Sequence, residues 1–266
     1  MEMLIGFETT VAFLAGLLIG SFLNVCIYRL PRDLSVVTPR SFCPECGASI
    51  AWYDNIPLLS YVRLPGRCRA CSKPIGWRYP LVEFSTAVLF SLIVTEYGFG
   101  LAALKWCVFV ALLIALFWTD LEERILPDEL TLGGVAAGLL FAIFTGVPSA
   151  FPGLLLPALN PILKSLLAAA LGASLALPLW AIGVVYGFFR KREVLGLGDV
   201  KLLVLLGVFL GLERAVFAML IGTVAGSIIG LLYILLTRKK LSAYELPMGT
   251  FLCAGGVLVP LLAWWV

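Results

Sequence analysis

The sequence predicts an all-α polytopic membrane protein of about eight transmembrane helices with one polar insertion near its amino end. Three observations carry this. Of the 266 residues, 61% are hydrophobic and 13% charged, where a soluble domain carries about 25% charged. Apolar runs of about 20 residues, long enough to cross a bilayer, recur along most of the chain. A single stretch of about fifty residues, Pro31 to Pro80, breaks that pattern with charges, prolines and cysteines.

The first span covers about residues 8–29. Glu2 and Glu8 stand where a cleavable signal would carry basic residues, and no small-residue cleavage site precedes the arginines behind it, so it reads as a retained span. Beyond the polar insertion, the second and third spans cover about 81–97 and 101–119. The charged loop "TDLEERILPDE" leads to the fourth, about 130–147, and "PSAFPGLLLPALNP" reads as a loop lying in the interface. The fifth covers about 163–188 and is followed by "RKREVLGLGD". The sixth, about 200–212, is short for a crossing; the seventh covers about 215–236. "TRKKLSAYE" precedes the last, about 247–265. The chain thus divides into a first helix (1–30), a polar module (31–80) and a seven-helix membrane domain (81–266).

Basic residues orient the spans. With the amino terminus outside, only Lys105, Lys164 and Arg214 of the 19 basic residues fall on the outer side. The polar insertion is then cytoplasmic, as are both charged loops that flank the sixth span's start and the third span's end. The complete lack of histidine excludes His-based triads, His metal sites and a His general base. Nothing in the composition points to nucleic acid.

Four of the seven cysteines lie in the insertion, as "CPEC" (Cys43, Cys46) and "CRAC" (Cys68, Cys71), with 21 residues between the pairs. Two C-x2-C hairpins present four thiolates to one tetrahedral ion, and the gap exceeds the usual zinc-ribbon spacing by one residue. Pro44, Gly47, Arg69 and Ser72 suit tight knuckles. Four protein ligands leave no open position, so the expected zinc is structural. Two disulfides or free thiols are the alternative, and a reducing cytoplasm disfavours the disulfides. Cys26, Cys107 and Cys253 lie in apolar runs and read as small core residues.

Three acidic residues sit at membrane edges: Glu83, Asp120 and Asp199. The third span runs inward and the sixth outward, so Asp120 and Asp199 fall at the same depth on the cytoplasmic side, from different helices. Two adjacent carboxylates cannot both ionise easily, and such a pair acts as base and acid on a water and a carbonyl. Gly196 and Gly198 of "GLGD", lacking Cβ atoms, let an extended peptide approach Asp199. The alternative is a pair of structural ion pairs, with Arg124 and Lys201 at hand.

Several blocks resemble one family. "GLGDVKLL" resembles the GxGD signature of membrane aspartyl peptidases, and "TDLEERILPDELT" the other active-site segment of the prepilin peptidases. "GSFLNVCIYRLP", the cysteine-bearing insertion through "GWRYPLVE", and "PMGTFL" are similar to blocks of the bacterial type IV prepilin peptidase and N-methyltransferase family, in one order over essentially the whole chain. The resemblance implies a bacterial inner-membrane enzyme with its active site on the cytoplasmic face. Such an enzyme cuts the basic leader from prepilins and pseudopilins after a glycine, then methylates the new amino terminus with S-adenosylmethionine. Asp120 and Asp199 match the two catalytic aspartates. The methyl-donor site is attributed to the amino-terminal cytoplasmic part, where Asn24, Arg29, Asp54, Asn55 and Glu83 are the candidates. Each has a structural alternative: Asn24 as an interhelical bond, "DNIP" as a turn, Glu83 as a partner of Arg78. "PMGTFL" departs from the pattern, with Met248 and Thr250 where an aromatic residue and a proline are more usual; the departure is expected to touch neither aspartate. Two other readings stay open. One is a peptidase whose insertion only docks substrate or supports the fold. The other is a proton-coupled transporter, which would want polar groups deep in several spans; spans four, five, seven and eight hold almost none.

Overall fold

The computed structural model describes residues 2–190, 196–237 and 247–262. The regular elements there are helices: α1 Glu2–Arg29, α2 Leu59–Arg63, α3 Arg78–Tyr97, α4 Leu101–Glu123, α5 Asp128–Thr145, α6 Phe151–Leu155, α7 Pro161–Ser174, α8 Ala176–Arg190, α9 Leu197–Thr237 and α10 Met248–Leu261. Six helical stretches are long and apolar enough to cross a membrane, and Met248–Leu261 is a shorter apolar helix. The expected sixth and seventh spans are two arms of α9, interrupted at Gly211, whose φ of 75° and ψ of 175° are not helical. A Cβ there would begin 2.6 Å from the Pro148 carbonyl oxygen, so only glycine makes this turn. The first arm, 197–210, is about 21 Å long, less than the roughly 30 Å of a hydrocarbon core. Residues 191–195 of "RKREVLGLGD" and 238–245 of "TRKKLSAYE" lie outside the described residues.

The chain divides into two compact units, Met1–Ala115 and Leu116–Val266. In the first, α1 and α3 cross closely. A Cβ on Gly16 would begin 2.5 Å from Ala87 Cα, and one on Gly20 2.7 Å from Glu83 Cα. This is small-xxx-small packing, which lets two backbones touch inside a membrane. Asn24 lies one turn beyond Gly20 on the same face of α1, so the crossing brings it to the start of α3. Phe13 and Phe84 add an edge-to-face contact at 6.5 Å.

In the second unit, α9 is the central element. Val208 packs with Ala142 of α5 and Ala169 of α7 in a fully apolar cluster. The Ser165 hydroxyl donates to the Ala142 carbonyl at 2.6 Å, joining α7 to α5. On the second arm of α9, Gly222 faces the backbone of Phe251 in α10. Glu213, just past the Gly211 turn, accepts from the Ser149 hydroxyl and from the amides of Ala150 and Phe151, which fixes the start of α6 to the turn.

Candidate functional site

The insertion folds as two matching knuckles. In the first, Cys43 N–H donates to Ala48 O, and Gly47 N–H to Cys43 O; in the second, Cys68 N–H donates to Lys73 O, and Ser72 N–H to Cys68 O. Phe42 bridges Ser49, and Arg67 bridges Pro74, closing each hairpin at its base. Gly47 and Ser72 occupy the same place in the two knuckles, both with positive φ, at 70° and 58°. The chain must turn there to aim both thiols of a pair at one point. All four Sγ atoms lie within 4.8 Å of one another, with Cys43 and Cys71 at 4.0 Å. Zinc–sulfur bonds of about 2.3 Å in a tetrahedron set sulfurs about 3.8 Å apart, so the residues fit that ion. The amides of Cys71 and Ala70 draw the Cys68 thiol down to about 7, while burial and the neighbouring thiols push Cys71 up to about 11. Cys26, Cys107 and Cys253 are buried, as expected of core residues.

A cavity of about 690 Å³ lies between the two knuckles, the 50–61 segment and the facing ends of α1 and α3. All five candidate donor-site residues line it: Asn24, Arg29, Asp54, Asn55 and Glu83. Their surroundings separate them. Arg29 is buried and donates to the carbonyls of Ser35, Pro39 and Arg40, so it organises the loop after α1. Asp54 holds a two-pronged ion pair with Arg69, both contacts at 2.6 Å, which ties the 50–61 segment to the second knuckle. The Arg69 guanidinium keeps the Asp54 carboxyl below the usual carboxylate range. Asn55 is exposed and closes the turn Trp52–Asp54.

Asn24 and Glu83 face the cavity from the helices. The Asn24 amide donates to the carbonyls of Gly20 and Tyr79, the second at 3.1 Å, so it does bond between helices. Its Oδ1 is buried with no partner. Buried acceptors are nearly always satisfied, so this one is open to a ligand's donor or a water. Glu83 accepts from the Leu58 amide at 2.8 Å and from the Ser21 hydroxyl. Leu58 has φ 59° and ψ −47°, and Leu59 N–H donates back to Pro57 O, a tight turn that few residues adopt. Glu83 therefore fixes the strained turn that closes one side of the cavity.

The second cluster lies in the unit Leu116–Val266. Asp120, 6% exposed, ends the apolar part of α4. Asp199 stands in the first turn of α9 and is close enough to Asp120 for the two charges to act on each other. Cys253, in α10, feels both carboxylates as well. Lys201, one of the basic residues offered as an ion-pair partner, is bound at 2.6 Å to Asp128. Gly198 packs against Leu126, which would lie 3.2 Å from a Cβ there, and Gly196 faces Asp199 Oδ2 at 3.6 Å on the same measure. The space beside Gly198 is thus filled by the loop after α4.

One expectation is corrected. Thr250 does touch an aspartate. Its amide and hydroxyl both donate to Asp120 Oδ2, at 2.5 and 2.8 Å. Gly249 makes this approach possible, since a Cβ there would begin 3.1 Å from Asp120 Cγ. The contact was hidden in the sequence because the partners stand 130 residues apart and a threonine near a helix start is ordinary. The signal that points to it is the "PMGTFL" block itself, which lies beside no other candidate in the chain.

Residues 14–97 match the bacterial peptidase A24 N-terminal domain, and residues 107–231 match the type IV leader peptidase family. A prepilin leader peptidase/N-methyltransferase of Burkholderia pseudomallei is 35% identical over 277 residues, covering 94% of this chain and 84% of its own. The chain belongs to the type IV leader peptidase family. The protein of the same description from Myxococcus xanthus is 39% identical over 227 residues, or 85% of this chain, which spans only 63% of that relative's length. That of Klebsiella pneumoniae is 40% identical, covering 75% of this chain and 83% of its own. No solved structure matches. Membership of the type IV leader peptidase family makes the chain an enzyme of the peptidase class, and its relatives' names add methyl transfer. Its apolar helices make it a multi-pass membrane protein.

Proposed function

We propose that this protein cleaves the basic leader from type IV prepilins and pseudopilins after a glycine, and then methylates the new amino terminus. The enzyme would sit in the bacterial inner membrane with both sites on the cytoplasmic side, as the distribution of basic residues suggests. The observation that carries the peptidase reading is that Asp120 and Asp199, from two different helices, lie near enough for their charges to interact, while Lys201 is held by Asp128.

In this reading the two carboxylates act as base and acid on one water and one carbonyl. The unprotonated one takes a proton from a water as the water oxygen bonds to the glycine carbonyl carbon, and the protonated one donates to the carbonyl oxygen. Collapse breaks the C–N bond, the amine nitrogen taking a proton from the pair. Peptide carbonyls inside a helix are closed off by their own hydrogen bonds, so the segment must enter extended. Gly196, which faces Asp199 without a Cβ, leaves room for that backbone.

Methyl transfer is assigned to the cavity in the unit Met1–Ala115. Its volume of about 690 Å³ lies within the roughly 300–1,000 Å³ of small-molecule sites. S-adenosylmethionine, when bound, supplies an electrophilic methyl group. Asn24 offers its open Oδ1 to a ligand donor, and Glu83 holds the Leu58 turn as the wall. Arg29 and the Asp54–Arg69 pair keep the cavity's frame. Zinc on Cys43, Cys46, Cys68 and Cys71 would lock the two knuckles that form its outer side. The modules 1–30, 31–80 and 81–266 then have the roles of anchor, methyl-transfer frame and peptidase.

The test is to incubate purified protein with a prepilin peptide and labelled S-adenosylmethionine, and to follow both products by mass. Cleavage after the glycine with one methyl group on the new amino terminus is expected. Cleavage without methyl incorporation would leave a peptidase whose insertion only docks substrate.

A further inference from the structure

Thr250 carries an inference of its own. It lies in the first turn of α10, three residues after Pro247, where backbone amides have no helical acceptor. Its N–H is therefore free to leave the helix, and it donates to Asp120 Oδ2 at 2.5 Å. The hydroxyl joins it on the same oxygen at 2.8 Å, with Phe117 O a more distant alternative at 3.4 Å. Thr250 is 3% exposed, so no water competes for these contacts. Asp120 Oδ2 thus accepts twice from one residue, as a carboxylate oxygen with two lone pairs can. With both Thr250 donors on Oδ2, Oδ1 is the oxygen left to meet a water.

We infer that Thr250 is a positioning residue for peptide cleavage, its hydroxyl fixing which oxygen of Asp120 works and in what direction. The inference rests on the reading that Asp120 and Asp199 perform the cleavage. A carboxylate that can rotate presents either oxygen to the water and loses the alignment on which such chemistry depends.

The test compares Thr250→Val, Thr250→Ser and Asp120→Asn in cleavage of a prepilin peptide, with methylation of an already cleaved peptide measured in parallel. Valine keeps the shape and the amide but lacks the hydroxyl; serine keeps both donors. The expected result is a fall in kcat of about 10-fold to 100-fold for Thr250→Val, as losing one buried hydrogen bond implies. KM and methylation should stay unchanged, and Thr250→Ser should stay within about threefold of the parent, since its donors are intact. Equal losses in both variants, or a parallel fall in methylation, would make Thr250 a packing residue and overturn the inference. So would near-parental cleavage by Thr250→Val beside an inactive Asp120→Asn. An active Asp120→Asn would instead bring down the aspartate reading, and this inference with it.

Discussion

Asp120 and Gly249 show how little freedom the aspartate cluster has. A Cβ at 249 would begin 3.1 Å from Asp120 Cγ, Asp120 Oδ2 and Leu126 Cδ1 alike. Gly249→Ala must therefore push the carboxylate or the loop after α4 aside. Alanine is favoured over glycine in a helix by about 1 kcal/mol, so the fold has a compensating gain. The expected outcome is a cleavage rate lowered about tenfold or more by misalignment, with the melting temperature moved by less than about 4 °C. Kinetics beside a thermal melt check it, and equal loss of both would point to simple unfolding. That Asp120 and Asp199 come near each other was legible in the sequence, because carboxylates beside membrane-length apolar runs are few and costly. Thr250 was not, since its hydrogen bonds depend on how α10 meets α4. Arg29 was legible as important but not in kind: only its three carbonyl partners show that it organises backbone.

Among the helices and knuckles, legibility follows from whether a pattern is local. The two C-x2-C pairs announce themselves by spacing, and the knuckles form around them with matched hydrogen bonds. The close crossing of α1 and α3 rests on Gly16 and Gly20, four apart as such contacts require. The break of α9 at Gly211 was hidden because a glycine in an apolar run shows nothing of its φ, and the Pro148 carbonyl beside it comes from a distant loop. The cavity was hidden for the same reason, being made by five separate segments. A metal is the natural clamp for an insertion with short helices and exposed Trp52 and Trp77. Cys46→Ser with Cys71→Ser should remove one zinc per chain and open the insertion to protease, because binding and folding are linked in such sites. Metal analysis of the purified double variant checks this, and an unchanged zinc content would refute it.

The molecule as a whole reads as two machines in one chain. Its compact units, Met1–Ala115 and Leu116–Val266, run close to the two family matches at 14–97 and 107–231. The cavity belongs to the first and the two aspartates to the second, so the two activities should be separable by mutation. Glu83→Gln weakens the acceptor that holds the Leu58 turn, and should lower methyl transfer about 10-fold or more while leaving cleavage within about twofold. Equal losses would mean that the cavity serves substrate docking. The peptidase claim is tested most directly by Asp199→Asn, which keeps the shape and removes the ionisable group. Folded Asp199→Asn protein should cut a prepilin peptide about 10²–10⁴ times more slowly than the parent, yet still methylate a peptide supplied already cleaved. Asp128→Asn, which loses only the ion pair with Lys201, should be far milder. Cleavage by folded Asp199→Asn at near the parental rate would contradict the account and leave Asp199 a structural residue.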